Sequence, residues 1–430
     1  VAVVEDTVCS GCSLLCDDVS AEVSGDSVRS LGLCRLGHAH LEAAISHMDL
    51  KAIIRQDEKE QEVSVDAALK QASEMLIDSK SVLLFGWSQA TNEDIREGLL
   101  LASDLKGFFD YLGIMGASQA LQHPIHSMQL KTDLEYVRNH GEFIIYWGSD
   151  PSESLHRHPS RFAVLPRGEK IPEGIESRRI GIVDVRQTET MKMANHRLII
   201  PNGSDAELLD AITSEISGSS SISGPVAGIP ASELIGLVRG LQNSDCTAIF
   251  YGSGLLNSGA FEANLNALKK FIEAIRATGK EAFALPMFQF TNAMGAARVA
   301  IDTTSWPCSV DYSSGTAVFD ASTNALRKLV ANDFDTVVIV GDDPFVAIPG
   351  PAVRALAATK ILYIGPPRTV ADRLANVSIH VRDMMFQETS TATRLDQVEV
   401  TIQGLSEIPS DMTSAGQILS RIRDAIKSKR

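Results

Sequence analysis

Residues Ile182–Pro201 read IVDVRQTETMKMANHRLIIP, and Tyr363–Arg382 read YIGPPRTVADRLANVSIHVR. At an offset of 181 residues the two coincide at Thr188/Thr369 and at Ala194-Asn195/Ala375-Asn376. Upstream, Ile144–Pro151 (IIYWGSDP) matches Val337–Pro344 (VVIVGDDP) at an offset of 193. The difference between the offsets falls in the polar Arg167–Arg178 stretch, where a loop insertion is easily accommodated. Each match pairs a β-branched apolar run, stopped by Gly or Pro, with a helix-like stretch, which is the pattern of a βα step in a parallel sheet. The chain is therefore expected to be α/β, with two doubly wound Rossmann-like lobes related by internal duplication.

The same form recurs at Ser81–Trp87, Phe143–Pro151, Ile180–Asp184, Thr247–Gly254, Thr336–Pro344 and Lys360–Pro366. Helical periodicity lies between, at Asp66–Ile77, Ala260–Ala277 and Ala321–Val330, and again at Thr413–Lys429, an amphipathic terminal helix. Ser217–Gly224 (SGSSSISG) reads as a flexible connector. In doubly wound sheets ligands bind beyond the carboxyl ends of the strands, so Gly148, Gly252, Gly254 and Gly341 are expected to line one crevice. None of them forms a GxGxxG or a P-loop, and each also suits an ordinary βα turn.

Over 430 residues, 44% of them hydrophobic, the chain can bury a large core and favours more than one domain. A net charge of −15 argues against a nucleic-acid partner, which needs clustered cations to neutralise phosphates. The absence of a long apolar run leads us to expect a cytoplasmic protein with no membrane partner. Four of the six cysteines crowd into the first 34 residues, as Cys9-x2-Cys12-x3-Cys16-x17-Cys34, while Cys246 and Cys308 stand alone as small core residues. Three thiolates in one tight loop with a distant fourth suit a 4Fe–4S cluster. A structural zinc more often shows two CxxC knuckles, and a box that has lost its metal is the third reading. Arg35 and Lys51 are candidates to offset a cluster's charge.

CSGCSLLCDD (Cys9–Asp18) followed by CRLGHAHLEAA (Cys34–Ala44) resembles the opening of the B subunit of formylmethanofuran dehydrogenase. The likeness continues through GWS (Gly86–Ser88), WGSDPSESLHRHPSRF (Trp147–Phe162), DVRQTET (Asp184–Thr190) and LPMFQFTNAMGA (Leu285–Ala296), covering nearly the whole chain. In that family, and in the wider molybdopterin oxidoreductases, two lobes hold a bis-pterin tungsten or molybdenum centre beside a 4Fe–4S cluster, and carbon dioxide is reduced to formate. The resemblance implies that Cys9, Cys12, Cys16 and Cys34 hold the cluster, and that Asp184, Arg186 and Thr188 are the pterin-nucleotide contacts, although these three could instead cap a following helix.

Where the family holds its metal with Cys or selenocysteine beside a His, this chain has Ile114 and Met115; where the family has an active-site Arg, it has Phe288. Ile114 has no lone pair for a metal, Met115 is neither acid nor base, and Phe288 cannot orient a carboxylate. These losses imply that molybdopterin or tungstopterin is absent and that the site has no catalytic residues. They point to a relative of the dehydrogenase, the formyltransferase/hydrolase complex. That assembly passes a formyl group from tetrahydromethanopterin to a methanofuran-like carrier and releases formate, using other subunits of the A, C and D types. An active tungsten or molybdenum subunit and an iron–sulfur electron-transfer module are the alternatives.

The expected domains are 1–50 (the four-Cys domain), 51–115 and 290–390 (lobe 1), 116–289 (lobe 2) and 391–430 (a C-terminal extension). His156, Arg157, His158 and Arg161 form a basic patch suited to a phosphate, an anionic carrier tail or a subunit interface. His38, His40 and His47 read as a solvated helix face and lack the HExxH spacing of a zinc hydrolase.

Overall fold

The computed structural model describes residues 2–24, 27–46, 51–56, 59–113, 120–121, 132–287, 290–387, 389–403 and 413–429. The chain divides into two compact units, Val1–Gly113 with Phe290–Arg430 (unit 1) and Ile114–Gln289 (unit 2).

Unit 1 begins with a three-stranded antiparallel sheet of β1 (Ala2–Thr7), β2 (Val19–Ser24) and β3 (Ser27–Leu31), followed by the helix Arg35–Ser46. It continues through β4 (Ala52–Gln56), β5 (Lys59–Val63), β6 (Val82–Gly86) and β7 (Phe108–Phe109). The β6 residues are buried at every position, as a strand covered on both faces demands, whereas β5 (KEQEV) is mostly exposed and charged, as suits the edge of a sheet. Helices Val65–Ile77 and Asn92–Leu105 start where the sequence caps them. Ser64 Oγ accepts from Ala67 N–H, and Thr91 and Asp94 form a reciprocal capping box.

Unit 2 is built on β8 (Phe143–Trp147), β9 (Arg179–Asp184), β10 (His196–Ile199), β11 (Cys246–Tyr251) and β12 (Glu281–Pro286). These strands are parallel throughout, in the order β10-β9-β8-β11-β12. The chain then returns to unit 1 for β13 (Val310–Asp311), β14 (Val318–Phe319), β15 (Thr336–Val340), β16 (Lys360–Gly365), β17 (Val377–His380) and the hairpin β18 (Ser390–Thr393) with β19 (Glu399–Ile402). The parallel part of the unit 1 sheet runs β7-β6-β15-β16-β17, extended antiparallel by β13 beyond β7 and by β4 beyond β17.

Both sheets thus reverse their winding once, between β8 and β11 and between β15 and β6. The turns after the matched strands also share their hydrogen bonds. Asn195 N–H donates to Ile180 O and its Oδ1 accepts from Ile180 N–H; Asn376 does the same with Ile361. Gly148 N–H donates to Val183 O as Gly341 N–H does to Ile364 O.

The helix expected over Ala321–Val330 is shorter, Ala325–Val330, because Asn324 Oδ1 accepts from Arg327 N–H and sets the start there. Apolar residues of the N-terminal segment pack with residues from late in the chain. Ala21 and Leu41 pack with Met385 and Phe386, and Val8 and Leu15 pack with Met384, Ala392, Val400 and Ile402. The segment after residue 391 therefore completes the core beneath the cysteine box. The terminal helix Ala415–Lys429 lies on helices Val65–Ile77 and Asn92–Leu105, tied by Gly416 N–H to Asp94 Oδ1 at 2.6 Å. No described helix is long and apolar enough to cross a membrane.

Candidate functional site

The cysteine box closes on itself through backbone bonds. Cys9 N–H donates to Cys16 O (2.9 Å), Leu15 N–H to Cys12 O (3.1 Å), and Gly11 N–H to Cys9 Sγ (3.4 Å). Cys34 stands just before the helix Arg35–Ser46, its carbonyl taking the first helical bond from His38 N–H at 2.9 Å. Two glycines let helix and loop meet. A Cβ on Gly37 would lie 2.9 Å from Cys9 Sγ, and one on Gly11 would lie 3.0 Å from Gly37 Cα. Cys9, Cys12 and Cys16 are buried and Cys34 is half-buried; none is in a disulfide. Burial, with the neighbouring thiols adding to it, pushes Cys9 up to about 12 and Cys12 higher still.

Among the described residues, no three Cys, His, Asp or Glu side chains converge on one point where a single metal ion would be held. A tetrahedral zinc needs four donors around one ion, whereas each thiolate of a cubane takes a different iron. The loop is held from outside as well. Thr291 Oγ1 donates to Ser10 O (2.9 Å), Leu395 N–H to Ser13 O (3.1 Å), and Ser10 Oγ to Asp383 Oδ1 (3.1 Å).

Asp383 also pairs with His40 Nε2 at 3.0 Å. Although burial opposes ionisation of both, the pairing lowers the Asp383 carboxyl and raises the His40 imidazole. The solvated histidine face is therefore corrected: His38 is exposed, with Ser30 Oγ at 3.4 Å, but His40 is turned to a half-buried carboxylate 343 residues away in sequence, and His47 lies outside the described residues. Of the expected charge partners, Arg35 is exposed and Lys51 pairs with Glu62 at 2.9 Å.

In unit 2 the glycines at the β8/β11 reversal pack against one another. Gly254 N–H donates to Gly148 O (2.9 Å), and Gly148 has φ +59°, with only 2.4 Å between a built Cβ and Leu255 N. Glycine is required there. Gly341, at φ +75°, sits in unit 1 against Gln89. Asp184 ends β9 and its Oδ1 accepts from Arg186 N–H (3.2 Å); burial raises its carboxyl above the usual range. Arg186 reaches Glu153 at 3.1 Å on the surface, and Thr188 is buried. These side chains cap no helix: the next element is the 3-10 turn Thr190–Met193, which has no side-chain cap. Thr190, not singled out from the sequence, receives Ser152 N–H at 3.2 Å and donates to Asp150.

The basic patch is also corrected. His158 is fully buried, with Nδ1 2.9 Å from the Tyr146 hydroxyl, and burial pushes it down to about 3, so it is a neutral core residue. His156, Arg157 and Arg161 are half-buried around it.

Two buried polar knots were missed from the sequence. Asn292, fully buried, donates to Ala90 O (2.8 Å) and Asn92 Oδ1 (3.1 Å) and accepts from Thr393 N–H (2.8 Å). At the β15/β6 reversal Asp342 accepts from Ser88 N–H (2.7 Å) and Ser88 Oγ (2.6 Å), and burial raises it to about 6. Their only sequence signal was that Ser88 and Asn292 fall in the GWS and LPMFQFTNAMGA blocks. Ile114, Met115 and Phe288 lie outside the described residues.

No family model matches the chain. Two curated proteins do, each named as the B subunit of a tungsten-containing formylmethanofuran dehydrogenase 2. That of Methanococcus maripaludis is 26% identical over 98% of both chains, and that of Methanocaldococcus jannaschii is 26% identical over 99% of both. Among solved structures, the formyltransferase/hydrolase complex of Methylorubrum extorquens, bound to methylofuran, has a chain that matches with a TM-score of 0.67 at 18% identity, over 88% of this chain and 99% of that one. Acetylene hydratase of Pelobacter acetylenicus matches with a TM-score of 0.66 at 11% identity, over 99% of this chain and 70% of that one. Over nearly its whole length, then, the chain is similar to the B subunits of two tungsten-containing formylmethanofuran dehydrogenases.

Proposed function

We propose that the chain is the B-type subunit of a formyltransferase/hydrolase complex in tetrahydromethanopterin-linked one-carbon metabolism, and that it acts there as a scaffold without chemistry of its own. The observation that carries this is the substitution of Ile114, Met115 and Phe288 at the positions where the family resemblance places the metal-binding Cys or selenocysteine, the His and the Arg. A hydrocarbon, a thioether and a phenyl ring cannot replace a thiolate, an imidazole and a guanidinium in ligating a metal or orienting formate. The likeness to a chain of the Methylorubrum complex supports the choice of assembly. Its partners are then subunits of the A, C and D types, with a methanofuran-like carrier served by the whole and the complex residing in the cytoplasm.

Cys9, Cys12, Cys16 and Cys34 would hold a 4Fe–4S cluster, which supplies one-electron transfer or a structural staple when bound. The closed loop, the buried thiols and the clearance that Gly11 and Gly37 leave around Cys9 suit it. Asp184, Arg186 and Thr188 are then what remains of a pterin-nucleotide crevice. The shared strand order and the Asn195/Asn376 hydrogen bonds support descent of both sheets from one duplicated unit.

The specific observation behind a second reading, an active tungsten or molybdenum subunit, is the tungsten in the names of both curated relatives. Metal analysis of the chain purified with its native partners separates the two. Tungsten and molybdenum below a tenth of an equivalent, roughly, together with co-purification of a zinc-hydrolase-like partner, is the expected outcome. Stoichiometric tungsten or molybdenum overturns the scaffold.

A further inference from the structure

Beyond the carboxyl end of β16, unit 1 has a groove of about 460 Å³ whose walls are cationic although the protein as a whole carries −15. It exists because β4 and β5 extend the sheet past β17. Lys51 and Arg55 stand on one face at the β4 edge, and Arg368 and Arg373 face them from the turn after β16 and from the short helix Val370–Leu374. The His380 ring, 4% exposed, lines the groove at the end of β17.

Two carboxylates also line it, and both are engaged. Glu60 pairs with Arg55 at 3.1 Å. Asp372 accepts from Ser378 Oγ (2.5 Å), Arg368 N–H (2.8 Å) and His380 Nε2 (3.1 Å), with Arg55 Nη2 at 4.0 Å. Arg373 donates to Arg368 O at 3.3 Å, and neither Arg368 nor Arg373 has a carboxylate partner among the described residues. With Nε2 fixed on Asp372, His380 Nδ1 is left buried and without a hydrogen-bond partner among them. A buried imidazole nitrogen of this kind is costly unless a ligand or water meets it.

We propose that this groove binds a dianionic tetrahedral oxyanion, either free phosphate or the phosphoryl group of a small ester, between the Arg368 and Arg373 guanidiniums above the His380 ring. Two guanidinium forks with no carboxylate partner among the described residues match the geometry and charge of such a group, and the groove has the size of a small-molecule site. Arg368 is held at φ +66°, a left-handed conformation unusual for arginine, in the turn that sets its side chain at the groove. At the equivalent turn of unit 2, Asp184–Thr188, the sheet differs: β10 is its edge among the described strands, where unit 1 carries β4 and β5 beyond β17. The inference holds equally for a scaffold and for a redox subunit.

Calorimetric titration of the full chain in its native assembly tests this, with inorganic phosphate and with a nucleoside monophosphate, against chloride at equal ionic strength. Saturable millimolar or tighter binding is expected, weakened at least about tenfold in an Arg368→Gln/Arg373→Gln double variant, whose side chains are exposed and whose thermal midpoint should not move. Arg298→Gln, an exposed cation elsewhere in unit 1, should bind as the parent does. Preference for inorganic phosphate identifies the free ion as the ligand; preference for the monophosphate identifies an ester. Absence of saturation with both, or equal weakening by Arg298→Gln, overturns the proposal.

Discussion

Replacing Asn292 with alanine tests whether the buried amide knot holds the cysteine box. The substitution removes three hydrogen bonds of 2.8, 3.1 and 2.8 Å and leaves Thr393 N–H and Ala90 O without that partner in an interior where Asn292 has no exposed surface, while Asn92 Oδ1 keeps a long bond from Thr393 Oγ1 at 3.5 Å. A neutral hydrogen bond contributes about 1 kcal/mol net, and a stranded buried partner costs about 1–3 kcal/mol. Asn92 keeps its bonds to Thr391 and Thr393, which limits the loss there. The sum is roughly 3–5 kcal/mol, or a fall of about 6–20 °C in the midpoint of unit 1. Asn292→Asp keeps the acceptor for Thr393 N–H but loses both donors, and should not recover the loss. Because Thr291 is the next residue and bonds Ser10 O, the Cys9 and Cys12 thiols should also react faster with a thiol reagent well below the midpoint. Thermal unfolding followed by circular dichroism gives the first quantity and timed thiol labelling the second. A midpoint within about 2 °C of the parent, with unchanged labelling, would refute the reasoning.

Gly98→Ala should destabilise by at least about 2 kcal/mol although alanine favours a helix, because a Cβ there would lie 2.1 Å from Trp87 Cη2 in a packed core; tryptophan fluorescence and urea unfolding measure it. Asp342 is raised by burial from 3.8 to about 6, so the folded state retains its proton between about pH 4 and 6 while the unfolded state releases it. Its contribution is therefore most favourable below pH 4 and is lost as pH rises through 6, by at most about 3 kcal/mol. Asp342→Asn should flatten that part of the stability–pH curve, and an unchanged curve contradicts the assignment. Arg178 spreads one guanidinium over the carbonyls of Gly141 (3.0 Å), Val164 (3.0 Å), Arg138 (2.6 Å) and Pro166. Arg178→Lys cannot span them and should cost unit 2 about 3 kcal/mol, seen as faster hydrogen exchange over residues 164–178.

What the sequence determined by itself was local and repeated. Parallel strands buried on both faces must be continuous apolar runs, so FIIYW and TVVIV were legible as β8 and β15, and the helices over Asp66–Ile77 and Ala260–Ala277 were legible from their apolar periodicity. The tertiary structure alone decided what depends on contacts between distant segments. It placed residues 384–402 under the cysteine box, brought Asp383 to His40, turned His158 from a surface cation into a neutral core residue, and opened the Arg368 groove by laying β4 and β5 beyond β17. Periodicity reports which face of an element is buried. It does not report which distant residue buries that face, and the charge state of His40, Asp342 and His158 is set by that neighbour.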